Sequence, residues 1–170
     1  GWSRETLEEV INFKIGLGSP PPSLLAAFEG VLAGLCFFSN WPPVFESVPV
    51  NALLKGSFNE VLKSGRKALD SGCGCLKIKT GGMDSSEIPE VVRRLDLPSD
   101  GSVVVRIDPN RSWNFETGLE IARSLEGLPV EYLEEPVSSD LPRFISESPI
   151  PVALDETLRE IAPENLSRYY

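Results

Sequence analysis

The chain has 170 residues, 41% of them hydrophobic, which is enough for one substantial core but short of the roughly 250 residues of a complete eight-stranded α/β barrel. Its net charge of −9 argues against nucleic acid as a partner. These residues include no histidine and therefore offer no histidine-based catalytic triad and no histidine-bound zinc or haem. Three cysteines, an odd number, argue against a disulfide framework and favour a reducing, cytoplasmic location.

The amino-terminal segment, residues 1–45, differs from the rest of the chain and is predicted to be a separate helical region. Apolar residues recur at helical spacing in residues 5–13 and 23–35. The most apolar run, residues 24–38, carries Glu29 and is too short to span a bilayer, so no membrane association is expected. A proline-rich connection follows, and the second region is predicted to span residues 46–170.

From Val48 onward the pattern alternates between strand and helix, which predicts parallel strands joined by right-handed crossovers. Strands are predicted at residues 48–54, 75–80, 102–108, 129–136 and 151–156. Helices are predicted at residues 59–69, 88–95, 115–125 and 141–148, with a last helix beginning at Ala162-Pro163. The apolar run that precedes Arg106 predicts that the third strand is buried on both faces.

Two α/β architectures fit this alternation: a doubly wound sheet and a (β/α)8 barrel. A dinucleotide-binding sheet should show a G-x-G-x-x-G sequence after its first strand, and none is present. Charged residues at the ends of the strands favour the barrel, because that fold carries its chemistry at the carboxyl ends of its strands. We therefore predict about the first five βα units of a (β/α)8, TIM-type barrel.

Lys77 and Lys79 lie two residues apart on the second predicted strand, so their side chains point to the same side. If that side faces the barrel interior, desolvation and the neighbouring like charge both lower a lysine pKa, and one amine can act as a base. The alternative, which this strand taken alone favours, is an exposed face that carries two solvated lysines.

Asp108, Glu134 and Asp155 end three successive strands. For any one of them, capping of the following helix is the simpler interpretation. Three such acids in succession, opposite two lysines, favour a shared site for Mg²⁺ or Mn²⁺, which prefer carboxylate oxygens.

Residues beside these acids are secondary candidates. Asn110 and Arg111, with Trp113, could line the mouth of the site and bind substrate, or could simply form the loop that follows the strand. Glu135 should point the opposite way from Glu134 if the strand continues, and is expected to support the site without binding the metal.

The lysine pair, followed in order by RIDPNRSW, YLEEP and ALDETLRE, resembles the enolase superfamily and, within it, the o-succinylbenzoate synthase family. The resemblance implies that residues 1–45 belong to a capping domain and that Asp108, Glu134 and Asp155 bind Mg²⁺. It also implies that Lys79 removes the α-proton of a small cyclohexadiene carboxylate, giving a metal-stabilised enediolate, while Lys77 modulates Lys79. A lysine base beside Mg²⁺ is a known pattern of this superfamily and is not deduced from these residues.

The resemblance does not separate the synthases from muconate cycloisomerases, dipeptide epimerases and N-acylamino acid racemases, which share the same ligands. Two parts of the family pattern are not found in these 170 residues: the first strands of the capping domain, and everything after the fifth barrel strand, including a second lysine. We therefore expect an internal part of a longer family member that is inactive by itself or, as an alternative, a non-catalytic relic.

Overall fold

A computed structural model describes residues 49–162, 164 and 165, so the helices predicted within residues 1–45 lie outside the described residues. Strands and helices alternate throughout the described part. The strands are β1 (Ala52–Leu54), β2 (Cys75–Lys79), β3 (Val104–Asp108), β4 (Val130–Glu134) and β5 (Val152–Ala153). The helices are α1 (Phe58–Asp70), α2 (Glu87–Arg94), α3 (Phe115–Leu125), α4 (Leu141–Glu147) and α5 (Glu156–Glu160).

The five strands form one parallel sheet in the order β1-β2-β3-β4-β5. Each strand pairs with the strands that precede and follow it in the chain. A doubly wound sheet reverses its strand order at a switch point, whereas a barrel adds each strand to the same side. The consecutive order therefore identifies this sheet as part of the wall of a TIM-type barrel.

The two faces of the sheet differ in burial. One face is made of aliphatic side chains that are fully buried, namely Leu76, Ile78, Val105, Ile107 and Leu133. The opposite face carries the half-buried lysines of β2 together with Arg106 and Tyr132. Because successive residues of a strand point to opposite faces, this contrast follows directly from the alternation in the sequence. The prediction that the third strand is buried on both faces is wrong, because Arg106 and Val104 are only partly buried.

Helix α3 packs closely against α4, the next helix in the chain. The Asn114 side chain caps the helix by accepting a hydrogen bond from the Thr117 amide at 2.8 Å. Gly118 in the same helix lies so near to α4 that a Cβ atom would stand 2.8 Å from the Phe144 ring. Phe144 itself is fully buried, so the absence of a side chain at residue 118 lets the two helices share one core.

The carboxyl end of the described region differs from the predicted elements. Helix α5 follows β5 almost directly and has no predicted counterpart. The helix predicted to begin at Ala162-Pro163 lies for the most part outside the described residues. Among the helices that are described, none has the length and apolar character needed to cross a membrane.

Candidate active site

The alternation of β2 and its register against β3 place charged side chains together on the polar face of the sheet. Lys77 pairs in register with Arg106, and Lys79 pairs with Asp108. Residues that are paired across parallel strands point to the same side, so both lysines and Asp108 belong to one face. Lys79, Asp108 and Glu134 are the last residues of their strands, and the cluster therefore lies at the carboxyl edge of the sheet.

The two lysines and two of the predicted acids form one cluster of ion pairs. The Lys77 nitrogen lies 2.7 Å from each carboxylate oxygen of Glu134 and 3.0 Å from Oδ2 of Asp108. The Lys79 nitrogen lies 3.0 Å from the same Asp108 oxygen. Asp108 is almost completely buried, with 2% of its side chain exposed, while Lys77 and Lys79 expose 20% and 36%. Lys79 is therefore the more accessible of the two amines.

The carboxylates decide the protonation of Lys77. Its burial alone lowers the pKa, but hydrogen bonds to Glu134 and Asp108 outweigh burial, and the pKa of Lys77 is raised above the usual lysine value. Burial likewise raises the pKa of Asp108, and its bonds to both lysines bring that pKa below the usual value. The prediction of a lowered lysine pKa is therefore wrong for Lys77, because the hydrogen bonds and charges of Glu134 and Asp108 outweigh its burial.

Asn110 joins this cluster from the loop after β3. Its side-chain oxygen accepts a hydrogen bond from the Lys79 nitrogen at 2.7 Å, and its amide donates to Oδ1 of Asp108 at 3.1 Å. Asn110 has a φ of 52°, in the left-handed region that asparagine tolerates better than most residues. The loop therefore places a neutral acceptor directly on the more exposed lysine.

The structure brings together two of the three predicted metal ligands. Carboxylate oxygens of Asp108 and Glu134 already surround one cation, the Lys77 ammonium, and they are the hard donors that Mg²⁺ prefers. Asp155 lies at the start of α5 and is exposed. Within residues 49–162, 164 and 165, no three acidic or cysteine side chains are gathered so as to hold a metal ion. The chemistry of the Asp108 and Glu134 donors thus fits Mg²⁺, but this structure does not gather Asp155 with them.

A second charged network lies beside this cluster. Arg111 donates to Glu135 from Nε at 3.0 Å, to Thr157 from Nη2 at 2.7 Å and to Glu160 from Nη1 at 2.9 Å. These contacts commit the guanidinium to protein groups, and they do not support the predicted substrate-binding role of Arg111. Trp113 is also held in the protein, since it is 7% exposed and belongs to the hydrophobic core.

The residues from 60 to 163 match the family described as enolase C-terminal domain-like, and the chain belongs to this family. The order of motifs and the consecutive parallel strands described above agree with that membership. The resemblance to the enolase superfamily is thereby confirmed.

Three curated relatives are similar to this chain. The o-succinylbenzoate synthase of Thermobifida fusca is 33% identical over 126 residues, which cover 70% of this chain and 38% of that protein. Protein PHYLLO of Arabidopsis thaliana is 37% identical over 117 residues, or 66% of this chain and 7% of that protein. The D-Ala-D/L-Ala epimerase of Cytophaga hutchinsonii is 32% identical over 51% of this chain and 24% of that protein. The chain thus spans well under half the length of each of them.

Solved structures agree with the fold. Muconate cycloisomerase from Pseudomonas fluorescens superposes with a TM-score of 0.61 and 25% identity, over 74% of this chain and 37% of that one. An enolase from Gibberella zeae, crystallised with magnesium, formate and sulfate, gives a TM-score of 0.57 and 28% identity, over 66% and 30% of the two chains. The related proteins named here are enzymes that act on small molecules.

Proposed function

We propose that the protein is a magnesium-dependent dehydratase that converts 2-succinyl-6-hydroxy-2,4-cyclohexadiene-1-carboxylate to o-succinylbenzoate, in menaquinone or phylloquinone biosynthesis. The observation that carries the proposal is the contact of both Lys77 and Lys79 with Asp108 at the carboxyl edge of the sheet. It is supported by the similarity to the Thermobifida fusca synthase and by the family's barrel.

The contacts of the two lysines suggest different roles. Lys77 is held by two carboxylates, and its raised pKa keeps it an ammonium at neutral pH, so its role is to supply positive charge. Lys79 is the more exposed amine and contacts one carboxylate oxygen and the neutral Asn110. We therefore assign Lys79 as the base that removes the α-proton of the substrate.

In the proposed dehydration, Lys79 alone takes the proton and then returns it. The α-carbon loses its proton to Nζ of Lys79, and the electron pair moves into the carboxylate-conjugated system of the substrate. The ammonium so formed gives its proton to the departing hydroxyl, and water leaves as the ring becomes aromatic. A single side chain can act first as base and then as acid on the same face of the substrate, because the proton that it removes stays in the site and is passed to the leaving hydroxyl.

The metal would be held by Asp108, Glu134 and Asp155. When bound, Mg²⁺, or Mn²⁺ in its place, withdraws negative charge from the carboxylate of the substrate and so makes the α-proton more acidic. Without such neutralisation, abstraction of a proton next to an ionised carboxylate would place two negative charges on one small group. The proposal therefore requires both a cation and a small-molecule carboxylate.

A second candidate is an epimerase or racemase of amino-acid derivatives, or a muconate cycloisomerase-type reaction. The same lysine and carboxylate cluster could serve α-proton transfer on a dipeptide, and the Cytophaga hutchinsonii epimerase is 32% identical over half of the chain. Both candidates begin with removal of a proton next to a carboxylate, so the cluster alone does not choose between them. The product formed from the substrate distinguishes the two candidates.

The test compares the two reactions on the same preparation. Because these 170 residues are expected to be inactive alone, the assay uses a full-length protein that contains them. That protein is incubated with the cyclohexadiene substrate and Mg²⁺, and o-succinylbenzoate is quantified by mass spectrometry. Parallel samples contain dipeptides or N-acylamino acids in D₂O, where exchange of the α-hydrogen reports racemase or epimerase chemistry.

The proposal expects o-succinylbenzoate in the first sample and its loss in the Lys79→Ala variant. Exchange of amino-acid substrates without formation of o-succinylbenzoate would favour the second candidate. Neither reaction in magnesium-loaded protein would contradict both.

A further inference from the structure

Glu135 occupies an unusual place beside the site. It directly follows Glu134, the last residue of β4, but its φ of 44° turns the chain out of the strand. Its side chain is 1% exposed, so a carboxylate lies inside the protein. A buried carboxylate persists only where charge and hydrogen bonds compensate its lost hydration.

Each oxygen of this carboxylate accepts two hydrogen bonds. Oε1 accepts hydrogen bonds from the amides of Asp155 at 2.8 Å and Thr157 at 2.9 Å. Oε2 accepts from the Thr157 hydroxyl at 2.6 Å and from Nε of Arg111 at 3.0 Å. These four hydrogen bonds, from the Asp155 and Thr157 amides, the Thr157 hydroxyl and the Arg111 guanidinium, compensate the lost hydration of the carboxylate.

These bonds join three separate segments of the chain. Arg111 comes from the loop after β3, Glu135 from the end of β4, and Asp155 and Thr157 from the connection between β5 and α5. The Arg111 amide also donates to the Glu135 carbonyl oxygen at 2.7 Å. The Arg111 guanidinium closes the network by contacting the Thr157 hydroxyl as well. Glu135 is therefore bonded to the segments that directly follow β3 and β5.

The same three segments carry the proposed metal ligands. Asp108 ends β3, Glu134 precedes Glu135, and Asp155 is itself bonded to Glu135 through its amide. Where β4 and β5 meet, the sheet offers few backbone contacts to fix Asp155, because β5 has only two residues. The Glu135 amide donates to the Ala153 carbonyl oxygen at 3.1 Å, and the bond from the Asp155 amide to the Glu135 carboxylate adds a direct tie between Asp155 and the end of β4.

We propose that Glu135 is a positioning residue for the cation site: its buried carboxylate holds the loops that carry Arg111 and Asp155, and so fixes where Asp155 stands relative to Asp108 and Glu134. Glu135 does not itself bind the cation, because all its acceptor positions are occupied by protein donors. This inference rests on the metal ligands of the proposed function, and its test is a binding measurement that requires no turnover.

The test uses Glu135→Gln, which keeps the size of the side chain but replaces one acceptor oxygen with a donor. Mg²⁺ binding is measured by isothermal titration calorimetry on the purified protein, with circular dichroism to establish that the variant is folded. The matched control is Glu131→Gln, which removes an exposed carboxylate of β4 that pairs with Arg106. Support of metal ligands by neighbouring groups typically changes affinity about 10- to 100-fold, so Glu135→Gln should weaken Mg²⁺ binding by at least about tenfold. The control should bind Mg²⁺ like the wild type.

A purely structural role would lower thermal stability and leave the Mg²⁺ affinity of the folded variant unchanged, and that result would overturn the proposal. If Glu135→Gln does not fold, Thr157→Val decides, since it removes only the hydroxyl that bridges Glu135 and Arg111. Unchanged Mg²⁺ affinity in folded Thr157→Val, or in Asp155→Asn, would equally overturn it. Wild-type protein that binds Mg²⁺ in a Glu135-dependent way but does not form o-succinylbenzoate would contradict the proposed function and leave this inference standing.

Discussion

The Lys77 ammonium nitrogen, on β2, lies 2.7 Å from both carboxylate oxygens of Glu134, on β4, so this contact reaches across the intervening strand β3. The same nitrogen contacts Asp108 at 3.0 Å, so a single ammonium group serves two carboxylates. Since Asp108 is 2% exposed, water could replace little of the charge compensation and hydrogen bonding that Lys77 gives to this carboxylate. Lys77 is therefore expected to matter for stability as well as for reaction.

Replacing Lys77 with methionine should destabilise the protein in magnesium-free buffer. Removing one partner of a buried ion pair costs roughly 3–5 kcal/mol, and here the cost should be nearer about 2 kcal/mol because Lys79 still contacts Asp108. Urea unfolding at pH 7 measures this difference. A loss below about 0.5 kcal/mol, as expected for the exposed control Glu131→Gln, would contradict the role of Lys77.

The stability difference caused by Lys77→Met should depend on pH. The pKa of folded Asp108 is lowered, so its contribution is present above the unfolded carboxyl pKa and is lost as pH falls through the folded value. The pKa of Lys77 is raised, so its contribution is present below the unfolded lysine pKa and is lost as pH rises through the folded value. The difference should thus be full between about pH 5 and pH 10 and should narrow on either side. Urea titrations at pH 3 and pH 7 test the acid limb, and an equal difference at both would contradict it.

In a full-length protein that contains these residues, Lys79→Ala should all but abolish turnover while Mg²⁺ still binds, because a base is lost and no proposed ligand is. General base catalysis typically contributes about 10²–10⁴-fold, so kcat should fall by that factor. Lys79→Arg should fail as well, since a guanidinium does not lose its proton in proteins. Lys63→Ala, an exposed lysine of α1, is the control and should retain activity. Turnover near that of the wild type in either Lys79 variant would mean that another group takes the proton.

Asn110→Gly should slow turnover without weakening Mg²⁺ binding. The change removes the oxygen that accepts from Lys79 and suits the positive φ of residue 110, so little backbone strain is added. A hydrogen bond to a charged group contributes roughly 1.5–3 kcal/mol, which corresponds to about a 10- to 100-fold loss in kcat. Steady-state kinetics at saturating Mg²⁺ measures the loss. An unchanged kcat would show that Lys79 is oriented by Asp108 alone.

Gly118→Ala should destabilise the fold, because the added methyl group would stand 2.8 Å from the Phe144 ring and 2.9 Å from Val137. Overpacking costs about 1–3 kcal/mol, and alanine's better helix propensity returns up to about 1 kcal/mol. The control is Gly81→Ala, at a position with no atom within 4 Å and no positive φ, which should change stability by less than about 0.5 kcal/mol. Thermal unfolding of both variants distinguishes close packing from a general effect of losing glycine.

Much of the fold could be predicted from the sequence, because apolar spacing marks each long element. The spacing of Ile88, Val91 and Val92 predicted α2, and all five predicted strands are present in the structure. Helix α5 could not be predicted in this way, because its five residues are too few to show a periodic apolar face. Strand β1 is shorter than predicted, beginning at Ala52 rather than at Val48.

The candidate site was predictable in its members but not in its contacts. Alternation places Lys77 and Lys79 on one face, yet only the pairing of β2 with β3, and of β3 with β4, shows that carboxylates reverse the expected pKa shift of Lys77. The role of Arg111 was inaccessible for a similar reason, since its partners Thr157 and Glu160 are distant in the chain. Two adjacent glutamates at the end of a strand were the one available signal for Glu135.

The pairing of Lys79 with Asp108 links the chemistry of this protein to the accuracy of its folding. Side chains alternate along a strand, so a slip of β2 by a single residue would turn both lysines into the aliphatic layer beneath the helices. Leu76 and Ile78, which are fully buried in the correct register, would then face the polar side. The slipped register would therefore disrupt the hydrophobic core and also remove the proposed base, Lys79, from the site. A misaligned sheet would therefore be unstable, so burial of the aliphatic face fixes the register that brings the proposed base, Lys79, to Asp108.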